Sequence, residues 1–280
     1  RYASKGQIRL PLVIRTASSG GRGYGPTHSQ SLEALFIGIP GIRVVAPFTA
    51  YDAKGMLKAA IRHDGPVIFI ENRSLYNTKG IVPEKDYTAD LCNCELRRKG
   101  NDVSLIAYSR MTGLALDAAD ELGKEGIEAD VVDLRSLSPI DLGGVLDSVK
   151  KTGRAVIVEE GCKTAGVGAE VSALISEHGF SLLHAPIKRV ACADVPLACT
   201  PSLESAALPN KDKIINEKDS IIAEKDNEIQ SLRDQMAQIN QNTAQFDSKI
   251  KEKENEIISL MKDNDELLNE IRQNEEKIKE

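Results

Sequence analysis

Two periods organise this chain. Up to about residue 208, short apolar runs alternate with stretches of helical spacing, and beyond Pro209 the spacing becomes a strict seven. Residues 10–16 (LPLVIRT) form an apolar run that ends at Ala17-Ser18-Ser19-Gly20-Gly21, the pattern of a buried strand feeding a Gly-rich loop. Residues 29–37 have helical spacing, Pro40-Gly41 turns the chain into a strand over 42–46, and Asp52 opens a helix that runs to Ile61 before Gly65-Pro66 stops it. A third strand covers 67–70. A polar connector, 77–98, separates this unit from a second alternation: strands over 103–108, 129–134, 155–159 and 187–191, helices over 112–124, 141–151 and 168–177. The strand-helix rhythm predicts an α/β protein with parallel sheets in three layers. The second unit reads as complete; the first has too few strands to close a core and looks truncated at Arg1.

From Ile215, every seventh residue is Ile215, Ile222, Ile229, Met236, Thr243, Ile250, Ile257, Asn264, Ile271 and Ile278, and the positions three later include Leu232, Ile239, Phe246, Leu260 and Leu267. A period of 3.5 predicts a left-handed coiled coil, and Ile at one seam position, Leu at the other and Asn264 within the seam favour two parallel strands. The 71 residues after Pro209 would extend about 105 Å as a helix. Lys218, Lys225 and Lys253 fall on seam positions and weaken it, which leaves a solvated single helix as the other reading.

Composition sharpens the boundary. Residues 210–280 hold 12 Lys/Arg and 18 Asp/Glu, so the net charge of −6 for the whole chain resides there, and all 21 Gly, 11 Pro and 5 Cys lie before it. A neutral body with an acidic tail gives no footprint for nucleic acid. No apolar stretch is long enough to span a membrane. Five cysteines, an odd number, argue against a disulfide framework and for a reducing compartment, and Cys92-x-Cys94 is poor metal spacing.

The densest candidate chemistry is Gly20-Gly21-Arg22-Gly23-Tyr24-Gly25-Pro26-Thr27-His28, glycines that let backbone approach a ligand, followed by a histidine at the expected entry to a helix. His28 would trade protons near neutral pH, with its charged form disfavoured by the helix dipole, or simply cap the helix; spacing does not choose. Glu159-Glu160 are adjacent on a strand and point to opposite faces, so shared proton chemistry is not expected of them, and His178 and His184 are given no role.

The ordered series Gly23-Tyr24-Gly25-Pro26-Thr27-His28-Ser29-Gln30-Ser31, Ile39-Pro40-Gly41-Ile42-Arg43-Val44-Val45-Ala46-Pro47, Asp52-Ala53-Lys54-Gly55, Ala60-Ile61-Arg62, Val67-Ile68-Phe69-Ile70-Glu71-Asn72, Val132-Asp133-Leu134-Arg135-Ser136-Leu137-Ser138-Pro139-Ile140-Asp141, Val158-Glu159-Glu160-Gly161 and Gly166-Val167-Gly168-Ala169-Glu170 resembles the β subunit of thiamine-diphosphate-dependent 2-oxo-acid dehydrogenases, up to about Leu208. The resemblance implies a truncated transketolase-like pyrimidine-binding domain (1–85), a complete transketolase carboxy-terminal domain (86–208) and an added coiled coil (209–280). It implies an α subunit that carries magnesium and the diphosphate site, thiamine diphosphate shared between subunits, and transfer of the acyl group to a lipoyl acyltransferase core after decarboxylation. His28 matches the family's active-site histidine. The glutamate that protonates the aminopyrimidine is expected upstream of Arg1, so this stretch alone is not expected to catalyse. A potassium site in some members has mainly backbone ligands at positions matching Leu12, Ala60, Ile61, His63 and Gly65; an acidic residue and an amide are common where His63 and Gly65 stand here. The 2-oxo acid is not readable, nor is the choice between a bacterial cytoplasm and the matrix of a mitochondrion or plastid. A scaffold that keeps a non-catalytic transketolase-like module, and pairs with itself or another coil through 215–278, is the competing reading.

Overall fold

The computed structural model describes residue 5 and residues 7–279, with side chains described outside 218–228, 273 and 275–279. The opening Arg1-Tyr2-Ala3 and the heptad side chains of Lys218, Ile222, Lys225 and Ile278 lie outside the described set. The chain divides into two compact units, Arg1–Ile221 and Ile222–Glu280.

The first unit begins with β1 (Val13–Ser18), α1 (Ala34–Ile37), β2 (Arg43–Val45), α2 (Ala50–Ile61) and β3 (Val67–Asn72). It continues with β4 (Glu95–Arg98), β5 (Val103–Ala107), α3 (Arg110–Lys124), β6 (Ala129–Asp133), β7 (Ser136–Ser138) and α4 (Leu142–Thr152). Then come β8 (Ala155–Cys162), α5 (Val167–Gly179), β9 (Lys188–Cys192), α6 (Pro201–Ala207) and α7 (Lys211–Ile215). One sheet has the order β1-β3-β2-β7 and the other β4-β6-β5-β8-β9. All pairings are parallel except β2 with β7 and β4 with β6.

Local chemistry accounts for these elements. β5 and β6 are buried at every residue, the expected state of parallel strands covered on both faces. Thr49 and Asp52 form a reciprocal cap on α2: the Asp52 amide donates to Thr49 Oγ1 at 3.1 Å and the Thr49 hydroxyl returns to Asp52 Oδ2 at 2.6 Å. Asp141 caps α4 by accepting from the Gly144 amide at 3.1 Å, and Gly153, left-handed at φ 68°, ends it.

Three expectations change. The strand expected to be buried over 10–16 is β1, at an edge, with its four central residues exposed; among the described residues nothing pairs its outer side, and Leu10, Leu12 and Ile14 face solvent. The helix expected over 29–37 shrinks to α1, because Ser31 and Glu33 are instead drawn into hydrogen bonds with Glu160 and Ser18. The polar connector contains β4, whose arginines are used in ion pairs rather than left in water. The shortage of strands in the first half is met by β7, which leaves the second half to join the first sheet. A common core follows: Val44, Ile68 and Ile70 of the first half pack in one cluster with Ile106, Val132 and Ile157 of the second.

Ile214 is buried against the cluster that holds Met111 and Leu122, and Ile215 lies at its margin, so the first heptad position serves the body. The described part of the second unit lies within a single helix, α8 (Lys218–Lys279). Its described apolar seam residues from Ile229 to Ile271 are between 46% and 64% exposed.

Candidate functional site

The Gly-rich loop is anchored at both ends by buried carboxylates. The Gly20 amide donates to Glu160 Oε1 at 2.8 Å, and the Gly23 amide donates to Glu204 Oε2 of α6 at 2.7 Å. Gly25 needs to be glycine twice over: its φ is +68°, and a Cβ would lie 2.5 Å from Cys199 Sγ. A tight turn, Gly25–Thr27, then delivers His28, whose ring is exposed and whose amide donates to Gly25 O at 3.3 Å. The sequence expectation of a helix dipole acting on His28 is corrected here, since α1 starts six residues further on and presents no N-terminus to it.

At the carboxyl ends of β1, β2 and β3, where open α/β sheets bind ligands, lies a cavity of about 500 Å³. Phe48, Asn72, Tyr76, Arg15 and Glu71 are among its walls; His28 is not. Arg15 grips Glu71 with Nε and Nη2 at 3.0 and 2.7 Å, and the Tyr76 hydroxyl donates to the same carboxylate at 2.9 Å. Burial and this bond hold the Tyr76 phenol above its ordinary pKa. Because the cavity's one carboxylate is committed to Arg15 and Tyr76, the described residues do not offer a free acid to an aminopyrimidine, and they do not by themselves fit thiamine diphosphate.

The backbone does bring Leu12 beside the end of α2. Val67 donates to Leu12 O at 2.8 Å, Leu10 donates to Asp64 O at 2.9 Å, and His63 donates to Ala60 O at 3.1 Å. Each carbonyl keeps a second lone pair, so this donor set is of the type that a hard monovalent cation takes. The His63 ring accepts from Arg43 Nε at 3.1 Å.

Two carboxyls with strongly raised pKa values, Glu33 and Glu159, lie where the sequence pattern assigns no chemistry. Glu159 and Glu160 end the buried run of β8, and both turn into the junction between the halves. Glu160 gathers the Gly20 amide, Ser31 Oγ at 2.8 Å, Asn72 Nδ2 at 3.3 Å and Arg110 Nη1 at 3.4 Å. Glu159 accepts from the Gly168 amide at the start of α5 at 3.0 Å; burial nevertheless pushes its pKa to about 7. Glu33 accepts from Ser18 Oγ at 3.1 Å; burial first, with the charge of Glu160 adding to it, raises its pKa to about 7 against the pull of its own backbone amide and Ser18. The signal available in the sequence is a pair of acids at the end of a strand that otherwise reads as buried, a place where charge has to be answered by specific donors.

A second polar lock joins α2 to the other sheet. Asp52 receives Arg97 and, at 3.1 Å, Arg135, while Asp133 receives Arg97 at 2.8 Å and Thr112 Oγ1 at 3.2 Å. Burial favours the neutral Asp52, but the Thr49 hydroxyl and Arg97 outweigh it and hold the carboxyl below the usual range. Asp133 is more deeply enclosed, and burial takes it up to about 6 against the pull of Arg97.

Comparison with known proteins gives these sites their setting. Residues 1–79 match the transketolase pyrimidine binding domain and residues 93–214 the transketolase C-terminal domain. The chain is 43% identical over 216 residues to the β subunit of acetoin:2,6-dichlorophenolindophenol oxidoreductase from Bacillus subtilis (strain 168), covering 77% of this chain and 63% of that one. The E1 β subunit of pyruvate dehydrogenase from Porphyra purpurea is 46% identical over 216 residues, covering 77% and 65%; that of Gracilaria tenuistipitata var. liui is 43% identical over 215 residues, covering 77% and 67%. A solved structure described as a split gene transketolase, inactive β4 tetramer, superposes with a TM-score of 0.64 at 27% identity over 76% of this chain and 67% of that one. The chain thus spans between 63% and 67% of the length of these curated relatives. With both domains matched in order and the identity sustained over three quarters of its length, this chain belongs to the transketolase-like family of pyruvate and acetoin dehydrogenase E1 β subunits.

Proposed function

We propose that the chain works as the β side of a thiamine-diphosphate-dependent 2-oxo-acid dehydrogenase, most specifically one for pyruvate. Its parts are a pyrimidine-side module (1–85), a carboxy-terminal module (86–208) and a coil (209–280). An α subunit holds magnesium and the diphosphate, and a lipoyl acyltransferase core receives the acyl group. Bound thiamine diphosphate supplies the carbanion chemistry. His28, exposed on a loop fixed by Glu160 and Glu204, is the residue presented to the incoming lipoyl group. A bacterial cytoplasm or an organelle matrix is the compartment, in keeping with five free thiols and with no helix among the described residues being long and apolar enough to cross a membrane. Potassium at Leu12, Ala60, Ile61, His63 and Gly65 would brace the end of α2 against β1.

The observation that carries this reading is the sustained identity to E1 β subunits through both domains. Dependence on a partner is supported by the paired state of Glu71 and by the inactivity of the β4 tetramer that this chain resembles in fold. The test is co-expression with the α subunit of the Bacillus subtilis pyruvate dehydrogenase. Co-purification, and thiamine diphosphate binding that the separate chains lack, are expected; failure of the two to associate would overturn the proposal.

The exposed seam of α8 favours a further role in pairing copies of the chain. Sedimentation of the full chain checks this: Ile250→Asp with Ile257→Asp should lower its mass, and an unchanged mass rules the pairing out.

A further inference from the structure

A cavity of about 250 Å³ opens between residues 30–35 of the first half and the turn from β8 to α5. Three side chains in its wall carry a buried polar atom with no hydrogen-bond partner: Glu33 Oε2, Tyr108 Oη and Glu159 Oε1. These residues are 4%, 3% and 0% exposed. Buried polar atoms are almost always satisfied in folded proteins, so three orphans around one space require an explanation.

The wall carries two carboxyls, and several of the donors around them are already used. Ser31 Oγ is committed to Glu160, Thr164 Oγ1 to Asp194 Oδ2, and the Gly168 amide to the other oxygen of Glu159. The Tyr108 hydroxyl faces the Gly161 amide without closing a hydrogen bond. Room around Glu159 is kept open by glycines, since a Cβ at Gly166 or Gly168 would lie 2.5 or 2.4 Å from a carboxylate oxygen. A ligand that satisfies the ionised form of this wall brings hydrogen-bond donors and positive charge. It is not a multidentate metal ion: no three His, Cys, Asp or Glu side chains among the described residues are grouped to hold one. The volume equals that of about eight waters, enough for a small hydrogen-bonding cation.

We propose that this cavity binds a small cation of the ammonium or guanidinium class, with Glu33 and Glu159 as anionic acceptors and the Tyr108 oxygen as a third ligand. Its geometry is separate from the 500 Å³ cavity and does not rest on the thiamine reading. The charged groups that act on its carboxyls are Glu159 and Glu160 on Glu33, and Arg189 on Glu159, while Arg110 pairs with Glu160. Both carboxyls hold protons near neutral pH when no cation is present, so binding strengthens as pH rises.

The experiment uses the full chain and two readouts, calorimetric titration and thermal unfolding, with ammonium or methylguanidinium chloride against sodium and tetramethylammonium chloride at equal ionic strength. Saturable binding of the donor-bearing cations is expected, about a hundredfold tighter at pH 8 than at pH 6 because each of the two carboxyls has to lose its proton, with a raised unfolding midpoint. Tetramethylammonium, which has charge but no N–H, should do neither. Glu33→Gln and Glu159→Gln, made singly, should each weaken binding about tenfold while leaving cooperative unfolding in place. An equal response to tetramethylammonium, or no saturable binding by the wild-type chain at pH 8, would overturn the proposal whether or not the variants fold.

Discussion

Replacing Glu33 with Gln gives the sharpest test of how the two halves are held together. The Glu33 side chain is 4% exposed, accepts from Ser18 Oγ at 3.1 Å, and titrates at about 7 instead of 4.5. At about 1.4 kcal/mol per unit, that displacement is worth on the order of 3 kcal/mol. Because the folded-state value is raised, the folded chain holds the proton more tightly than the unfolded chain. The stabilisation from Glu33 is therefore full below about pH 4.5 and is lost as pH climbs through 7. Gln keeps the acceptor for Ser18 but cannot ionise, and its amide adds a buried donor that costs about 1 to 2 kcal/mol at every pH. The variant should thus be less stable than the parent at pH 5 and more stable by about 1 kcal/mol at pH 8, a swing of about 3 kcal/mol. Urea unfolding in sodium buffers, followed by tyrosine fluorescence, isolates the body, because all six tyrosines precede residue 210 and the long helix is silent. A difference between variant and parent that stays constant from pH 5 to pH 8 would refute the reasoning, since only ionisation of Glu33 separates the two curves.

Three further substitutions have signed outcomes. Ser109 sits at φ 51° and ψ −135° at the start of α3 with a buried, unpartnered hydroxyl, so Ser109→Gly should stabilise the body by about 1 kcal/mol. That would raise its melting temperature by about 2 to 4 °C, and a drop would contradict the strain argument. Gly153→Ala places a Cβ 2.2 Å from His184 Nδ1 at a left-handed φ, whereas Gly126→Ala meets open space at φ +80°. Gly126→Ala should lose about 1 kcal/mol in chemical denaturation and Gly153→Ala clearly more; equal losses would remove the steric component. Asp52→Asn leaves Arg97 and Arg135 facing a neutral amide in a nearly closed site and should cost about 3 kcal/mol by urea unfolding at pH 7. A loss under 1 kcal/mol would mean that water reaches the arginines.

The sequence is most readable where a single physical rule governs an element. Helix α2 ends at Ile61 as expected and starts two residues before Asp52, at Ala50, because Thr49 caps it; capping and proline act within a few residues of themselves. Strands β5, β6 and β8 are plain from their short, mainly apolar runs set between helical stretches. What escapes depends on distant residues. β7 is three residues, Ser136-Leu137-Ser138, without strand character of its own, and becomes a strand because Val44 and Val45 are there to pair with it. Residues 29–33 have helical spacing, yet the bonds they make with Glu160 and Ser18 keep them from helix. Glu159 and Glu160 escape for the same reason: opposite faces of one strand are both interior, one toward α5 and the other toward the Gly-rich loop. His28 stands out at the end of the Gly-rich run but receives its role only by resemblance, and the potassium residues are reached by resemblance alone.

Hydrophobic pattern states which residues are suited to burial and is silent about what buries them. In β3 the two coincide: Val67, Ile68, Phe69 and Ile70 read as a buried run and are buried, with neighbours on both sides supplied by the chain itself. In β1 the same kind of run lies open, with Ile14 49% exposed, although Ile68 beside it is 5% exposed. Along α8 the heptad is as regular as any feature of the body, yet Ile250 and Leu260 remain 55% and 61% exposed. An isolated helix gains little from propensity alone, and its lasting stability comes from the apolar face it covers. The polar junction behaves in the opposite way, since Glu33, Glu159 and Glu160 are charged residues that the fold encloses completely. Apolar surface left outside and carboxyl groups drawn inside are both departures from simple partitioning. The first marks surfaces whose burial is not completed within one chain, and the second marks the place where the energetic cost of folding is concentrated and where a bound cation would relieve it.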